Sequence, residues 1–392
     1  MIGVGTQIIN DKAKRYINEI LESKRVSYGP FLKKFEQEFA RIHGAKFAIA
    51  SSSGTSALQV AIQGLKEING WKDGDEIIVP SVTFVATMNI VLHNNLKPVI
   101  VDIDKDYYEI NPDLIEKKIT KRTRAIIPVH LFGQPCDMEP IMNIAKKHNL
   151  KIIEDSCETM FAKYKGKFTG TFGEVGCFST YVAHLISTGV GGINTTNDHV
   201  FAVKLRSLFN HGRDAIYISI DDVKNKSDKE FKEIIQKRFS FVNLGHSARI
   251  TEFEGALGLA QLENWEEMIK KRRENASYLI KNLSALKDYI KLPKIRPGTE
   301  HSFMMFPIVL LKEKKQRVIN ILEENGIETR DMLPLTNQPV YKKIMNINEE
   351  DYPVAKWINE NGFYIGCHQE LTKKDLDTII NVFKTKVFNI KK

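Results

Sequence analysis

The sequence predicts an α/β protein built on a mainly parallel sheet. From about residue 45, short apolar runs alternate with amphipathic stretches, and this strand–helix rhythm lasts for more than a hundred residues. Strands are expected over 47–50, 76–79, 98–101, 125–129 and 151–154. The turn at 51–54 leads into a helix over 55–66, and a second helix covers 138–148. In sheets of this kind ligands gather beyond the carboxyl ends of the strands. The character changes after about residue 214. Residues 221–238 are highly charged and read as a helical or loop insertion, and 251–286 as one long amphipathic helical region. Short strands and helices over 302–387 make a smaller α/β domain, so the chain divides into a large domain over 1–250 and a helical connection with a small domain over 251–392.

Composition narrows the functional classes. The formal net charge is +9, but the dense basic stretches, 117–124 and 270–273, are short. They describe a solvated surface rather than a nucleic-acid groove, and a modest positive field also suits a diphosphate-containing substrate. Four cysteines, Cys136, Cys157, Cys177 and Cys367, lie far apart with no C-x-x-C pair. That spacing suggests neither a zinc site nor an iron–sulfur motif, and free thiols fit a reducing cytoplasm. The first eleven residues lack a signal-peptide pattern, and no apolar run approaches the roughly 20 residues a membrane span needs. A cytoplasmic protein without metal, membrane or nucleic-acid partner is expected.

Three segments carry chemistry. Ser51-Ser52-Ser53-Gly54-Thr55-Ser56-Ala57 joins a strand to a helix, and small residues at a helix N-terminus offer free N–H groups to a phosphate. Ser-Gly-Thr also makes a good helix cap. Ile153-Glu154-Asp155 closes an apolar strand, where a carboxylate caps a helix, ligates a metal or partners a protonated ring nitrogen. The third segment runs from Ser179 to Gly192, with His184 at its centre and glycines after it.

These segments, in this order and spacing, resemble the DegT/DnrJ-type sugar aminotransferase family. The likeness extends through Tyr28-Gly29-Pro30, Ser53-Gly54-Thr55, the run from Pro80 to Thr87, and Val129-His130-Leu131-Phe132-Gly133-Gln134-Pro135. It continues through Gly176-Cys177-Phe178-Ser179, Asn210-His211-Gly212-Arg213-Asp214 and the run from Ala256 to Leu262. The resemblance implies the aspartate-aminotransferase fold (fold type I) and pyridoxal or pyridoxamine 5'-phosphate as cofactor. By the same implication Gly54, Thr55 and Ser179 hold the cofactor phosphate, Phe84 stacks on the ring, and Asp155 pairs with the ring nitrogen. Glu158, where the family often has Gln, lies near the ring hydroxyl. The family is dimeric, with a loop of the second subunit closing the phosphate site; here that loop reads Gly245-His246-Ser247 instead of Gly-Tyr-Asn, and Ser247 keeps a hydrogen-bonding group of shorter reach.

His184 stands where the aminotransferases have the lysine that binds the cofactor covalently. Histidine forms no such bond, but it serves as a general base near neutrality. Its context, His184-Leu185-Ile186-Ser187, is similar to the lysine-lacking sugar 3-dehydratases of the family, and in particular to the GDP-4-keto-6-deoxymannose 3-dehydratase branch, which uses no metal. That likeness implies C3 deoxygenation of a nucleotide-linked 4-keto-6-deoxy sugar, with His184 and Asp155 catalytic and glutamate restoring the cofactor amine. His211 and Arg249 are candidates for binding substrate or glutamate carboxylates, and a structural role for them stays open. Val190 replaces a glutamate common in relatives. Two other readings are a cofactor-binding protein without catalysis and an aminotransferase using Lys163, Lys165 or Lys167, but 164–167 reads as an exposed hairpin.

Overall fold

A computed structural model describes residues 1–214, 227–237 and 239–389. Within the charged stretch 221–238, Asp228–Lys237 is a helix, and 221–226 and 238 lie outside the described residues.

Strands β1 (Phe47–Ser51), β2 (Glu76–Pro80), β3 (Lys97–Val101), β4 (Thr123–Ile126) and β5 (Lys151–Asp155) follow the expected series. A short hairpin, β6 (Lys163–Tyr164) and β7 (Lys167–Phe168), precedes β8 (Val175–Ser179) and β9 (Gly192–Thr196). The seven-stranded sheet runs β1-β9-β8-β5-β4-β2-β3. The pairs from β8 to β3 are parallel, whereas β9 runs antiparallel to both neighbours. Its central strands are nearly all apolar because both faces are covered. Ile77, Val79, Ala125, Ile127 and Ile153 join one core cluster, while Ile78, Ile126 and Ile152 join the other, the alternation a two-residue period requires.

The helix Gly54–Asn69 follows β1 directly. Ser53 caps it by accepting the Ser56 N–H at 3.0 Å, and Gly70 ends it at φ +65°, a left-handed position that suits glycine. Met138–His148 forms a helix over its whole expected length.

The amphipathic region 251–286 is two helices rather than one. Glu252–Leu262 and Trp265–Leu283 are separated at residues 263–264, where Asn264 adopts φ −121° and leaves the helical geometry. A second sheet then combines β10 (Ile290–Lys291), β12 (Met305–Leu310), β13 (Thr329–Asp331) and β14 (Gly362–Gly366), every pair antiparallel. Between them β11 (Thr299–Glu300) returns to pair with β6, so the 164–167 hairpin is present and gains a third strand. On β12 and β14, Phe306, Ile308, Phe363 and Ile365 face a small-domain core, while Met305, Val309 and Tyr364 join the main core. Burial of both faces joins the small sheet to the main core as well as to its own.

Candidate active site

The carboxyl ends of β2, β5 and β8 converge with the start of the helix Gly54–Asn69. Asp155, the last residue of β5, is buried. Its Oδ2 accepts the Thr87 hydroxyl at 2.8 Å, and its Oδ1 accepts the Cys157 N–H at 3.2 Å. Thr87 is in turn hydrogen-bonded to Thr83 at 2.8 Å, within the first turn of the helix Val85–His93. Burial raises the Asp155 pKa above the ordinary carboxylate range against the pull of those two hydrogen bonds. A buried carboxylate held by neutral donors is costly to charge, and a cationic partner would relieve that cost.

The adjacent Glu154 plays another part. Side chains on successive strand residues point to opposite faces, and Glu154 is fully buried on the far side. It accepts the N–H groups of Gly170, Phe172 and Gly173 at 2.6–2.8 Å and lies 3.1 Å from His130 Nε2. The Cys136 N–H donates to His130 Nδ1 at 3.0 Å, which fixes the Nε2-protonated tautomer and aims it at Glu154. His130 and Glu154 thus brace the strand ends.

Gly54 sits where nothing larger fits. A Cβ there would lie 2.7 Å from Ser179 Cβ and 2.8 Å from Cys157 Sγ, so the helix start, the end of β8 and the turn after Asp155 touch. As the first two helical residues, Gly54 and Thr55 have no intrahelical acceptor for their amides. Phe84 caps the helix Val85–His93 and leaves 54% of its surface exposed, unusual for a phenyl ring at a strand end. Glu158, half-buried, accepts the Phe132 N–H at 3.0 Å; burial raises its pKa to about 7 against that bond, and the Asp155 charge adds to the rise. A buried acid, an uncovered aromatic face and a helix N-terminus with open amides suit a planar cationic ring bearing a phosphate.

His184 occupies the loop between β8 and β9. Thr180 closes this loop, its N–H donating to Gly191 and its hydroxyl meeting that of Thr188 at 2.6 Å. Leu185 and Ile186 are buried, and Gln261 grips Ser187 from the helix Glu252–Leu262 through two hydrogen bonds of 3.0 and 2.6 Å. The half-buried imidazole of His184 keeps Nδ1 away from water and without a partner. Burial lowers its pKa to about 4, so the ring is neutral at pH 7.

Ser247, His211 and Arg249 form an exposed group of their own. Ser247 bridges Asn210, Arg249 Nη2 reaches Ser247 Oγ at 3.4 Å, and His211 N–H donates to His246. One link ties this group to the site, the Ser52 N–H donating to Ala248 at 2.8 Å. Val190 is 52% exposed beside the His184 loop. Two residues of the site escaped sequence reasoning. Thr87 and Gln261 lie inside runs that carried the family resemblance, but nothing in their local sequence singled them out. Among the described residues no group of His, Cys, Asp and Glu is arranged to hold a metal ion, and no helix is long and apolar enough to cross a membrane.

Comparison with known proteins agrees with this architecture. GDP-perosamine synthase of Caulobacter vibrioides is 33% identical over 384 residues, covering 97% of this chain and 96% of the relative. GDP-4-keto-6-deoxy-D-mannose 3-dehydratase of Escherichia coli O55:H7 is 31% identical over 384 residues, 96% of this chain and 97% of the relative. A crystal structure of GDP-4-keto-6-deoxymannose-3-dehydratase with a trapped PLP–glutamate geminal diamine superposes with a TM-score of 0.87 at 28% identity, over 97% of this chain and all of that one. The fold is that of the fold type I, aspartate-aminotransferase-like enzymes. The model of the DegT/DnrJ/EryC1/StrS aminotransferase family matches residues 7–384, and the chain belongs to that family of pyridoxal-phosphate-dependent enzymes.

Proposed function

We propose that this protein is a 3-dehydratase acting on a nucleotide-linked 4-keto-6-deoxy sugar, with glutamate regenerating the cofactor amine. The observation that carries the reading is His184: a neutral imidazole with an unpartnered nitrogen, in a loop over 179–192 that contains no lysine. The lysines that might replace the missing one are engaged on the β6–β7 hairpin. Lys163 pairs with Glu300 at 3.3 Å, Lys165 with Glu139 at 2.7 Å, and Lys167 covers the Phe172 ring.

Pyridoxamine phosphate, when bound, supplies an amine for the sugar ketone and a ring that accepts electrons. In our reading Gly54, Thr55 and Ser179 hold its phosphate, Phe84 covers one ring face, and Glu158 lies at the ring oxygen. Asp155 holds the ring nitrogen protonated, which gives its buried carboxylate the cation it lacks. With the cofactor bound, His184 would be the group that accepts a proton as base and then protonates the departing C3 hydroxyl as acid. Without a lysine the cofactor is held noncovalently. A second copy of the chain completes the site through Ser247, with His211 and Arg249 placed to meet substrate or glutamate carboxylates. The apolar strip beside that loop supports such a partner: Phe239, Phe241, Val242 and Leu244 are 51–87% exposed.

The similarity to GDP-perosamine synthase favours transamination as the second reading. Incubation with cofactor, glutamate and GDP-4-keto-6-deoxymannose, followed by mass spectrometry, separates the two. A product that has lost the C3 oxygen and carries no nitrogen is expected. An amino-sugar product refutes the dehydratase, and no turnover with any nucleotide-linked keto-sugar points to a cofactor-binding protein.

A further inference from the structure

The first residues of the chain are stitched into the small domain. Ile2 forms a parallel bridge with Ile327; its N–H donates to Gly326 at 2.7 Å and its carbonyl accepts from Glu328 N at 3.0 Å. Val4 N–H donates to Glu328 Oε2 at 2.7 Å, and the Val4 side chain enters the main core. The Gly3 carbonyl presses against β14, where a Cβ on Gly366 would lie 2.1 Å from it. Glu328 also pairs with Arg330, so its carboxylate is held on both sides.

From this seam the chain crosses to the large domain and meets the His184 loop. A Cβ on Gly5 would lie 3.1 Å from Ala183 Cα and 3.5 Å from its carbonyl oxygen. Ala183 is the residue immediately before His184. Gln261 grips the loop on the other side, at Ser187. The imidazole has a weaker hold: a backbone contact with Tyr181, whose ring lies edge-on at 6.2 Å. A lysine in this place would be fixed at its far end by the cofactor. A histidine has no covalent tether, so the backbone at 183–184 decides where the ring points.

We propose that residues 2–5, clamped by Glu328, form a strap that positions the His184 imidazole for proton transfer. The proposal rests on His184 being the base of the site. Gly5 and Glu328 are positioning residues and touch neither substrate nor cofactor. The strap also carries the placement of the small sheet to the base, because its two ends are fixed on the two domains.

Two variants of the full-length protein test it. Gly5→Val forces the strap away from Ala183, and its backbone needs no glycine, since Gly5 is not among the positive-φ positions. Glu328→Ala releases Val4, and Glu328→Gln restores an acceptor for the Val4 N–H. The readouts are kcat and KM for the keto-sugar, and diethyl pyrocarbonate labelling of the cofactor-free protein mapped by peptide mass spectrometry. For Gly5→Val and Glu328→Ala, kcat falls about ten- to a hundredfold at unchanged KM, the scale of a misplaced catalytic group. His184 labels faster while His43 and His301, both buried in the wild type, stay protected. Glu328→Gln recovers most of the loss. Wild-type kcat, a fall in kcat with unchanged His184 labelling, or labelling of His43 alongside His184 in both variants overturns the strap. If the wild type deoxygenates no sugar, faster His184 labelling upholds the strap while the dehydratase reading fails, and unchanged labelling sinks the strap by itself.

Discussion

Replacing Glu158 with glutamine stabilises the cofactor-free protein, but only once the pH exceeds the range where a free glutamate titrates. Burial raises the folded-state pKa of Glu158 from 4.5 to about 7. Between those values the folded protein holds a proton that the unfolded chain has released, so stability falls as pH rises through the window and levels off above it. At 1.36 kcal/mol per pKa unit the full loss is up to about 3 kcal/mol. Glutamine keeps the size of the side chain and an oxygen to accept the Phe132 N–H, and it carries no charge to desolvate. Urea unfolding of cofactor-free wild type and Glu158→Gln at pH 5 and pH 8 measures the effect. The variant gains up to about 3 kcal/mol relative to wild type between the two conditions, and for a chain of this length that is about 4 °C in Tm. Because the Asp155 charge contributes to the rise, the same comparison in an Asp155→Asn background gives a smaller gain. An identical stability gap at both pH values refutes the assignment of a charged, poorly solvated Glu158.

Gly54→Ala drives a methyl group into Ser179 and Cys157 and moves the amides at the helix start. Losing one charge-assisted hydrogen bond to a phosphate weakens cofactor binding about tenfold to a hundredfold by fluorescence titration, and an unchanged Kd contradicts the phosphate assignment. His184→Asn retains cofactor binding but loses about a hundredfold or more of any deoxygenation rate, read by product mass spectrometry; wild-type turnover removes His184 as the base. Glu154→Ala strands three amides, that of buried Gly170 among them, and His130, a cost on the order of 5 kcal/mol, so thermal melting shows a large drop in Tm or no folded protein. A Tm within a few degrees of wild type counts against its bracing role.

The sheet was legible because most of its strands are apolar runs separated by turns, and two-residue alternation between cores is seen in β2, β4 and β5. Strand direction was not legible, since periodicity has no sense of polarity. Nothing in Gly192–Thr196 announces that it runs against its neighbours. The apolar run 125–129 extends past the regular strand: Ile127 N–H still donates to Ile78, and Val129 bridges Asp155 beyond Pro128, which has no N–H of its own to give. The break near Asn264 was hidden because neither glycine nor proline marks it, and the amphipathic pattern continues across it.

In the site, local sequence identified residue types and long-range contacts divided the work among them. Glu154 and Asp155 are adjacent carboxylates at one strand end, and only the pleat tells which one faces the site and which braces the fold. The same holds for His184. Its sequence neighbours mark it as a base in place of a lysine, and burial makes that base neutral. Yet what holds it lies at residues 2–5 and 261, far along the chain, where a glycine and a glutamine give no chemical signal. A cofactor lysine brings its own anchor through a covalent bond. Once that bond is absent, the precision it supplied must come from packing around the loop. On the proposed function, the substitution at position 184 is one half of a functional change, and the contacts of Gly5 and Gln261 on either side of it are where the other half belongs.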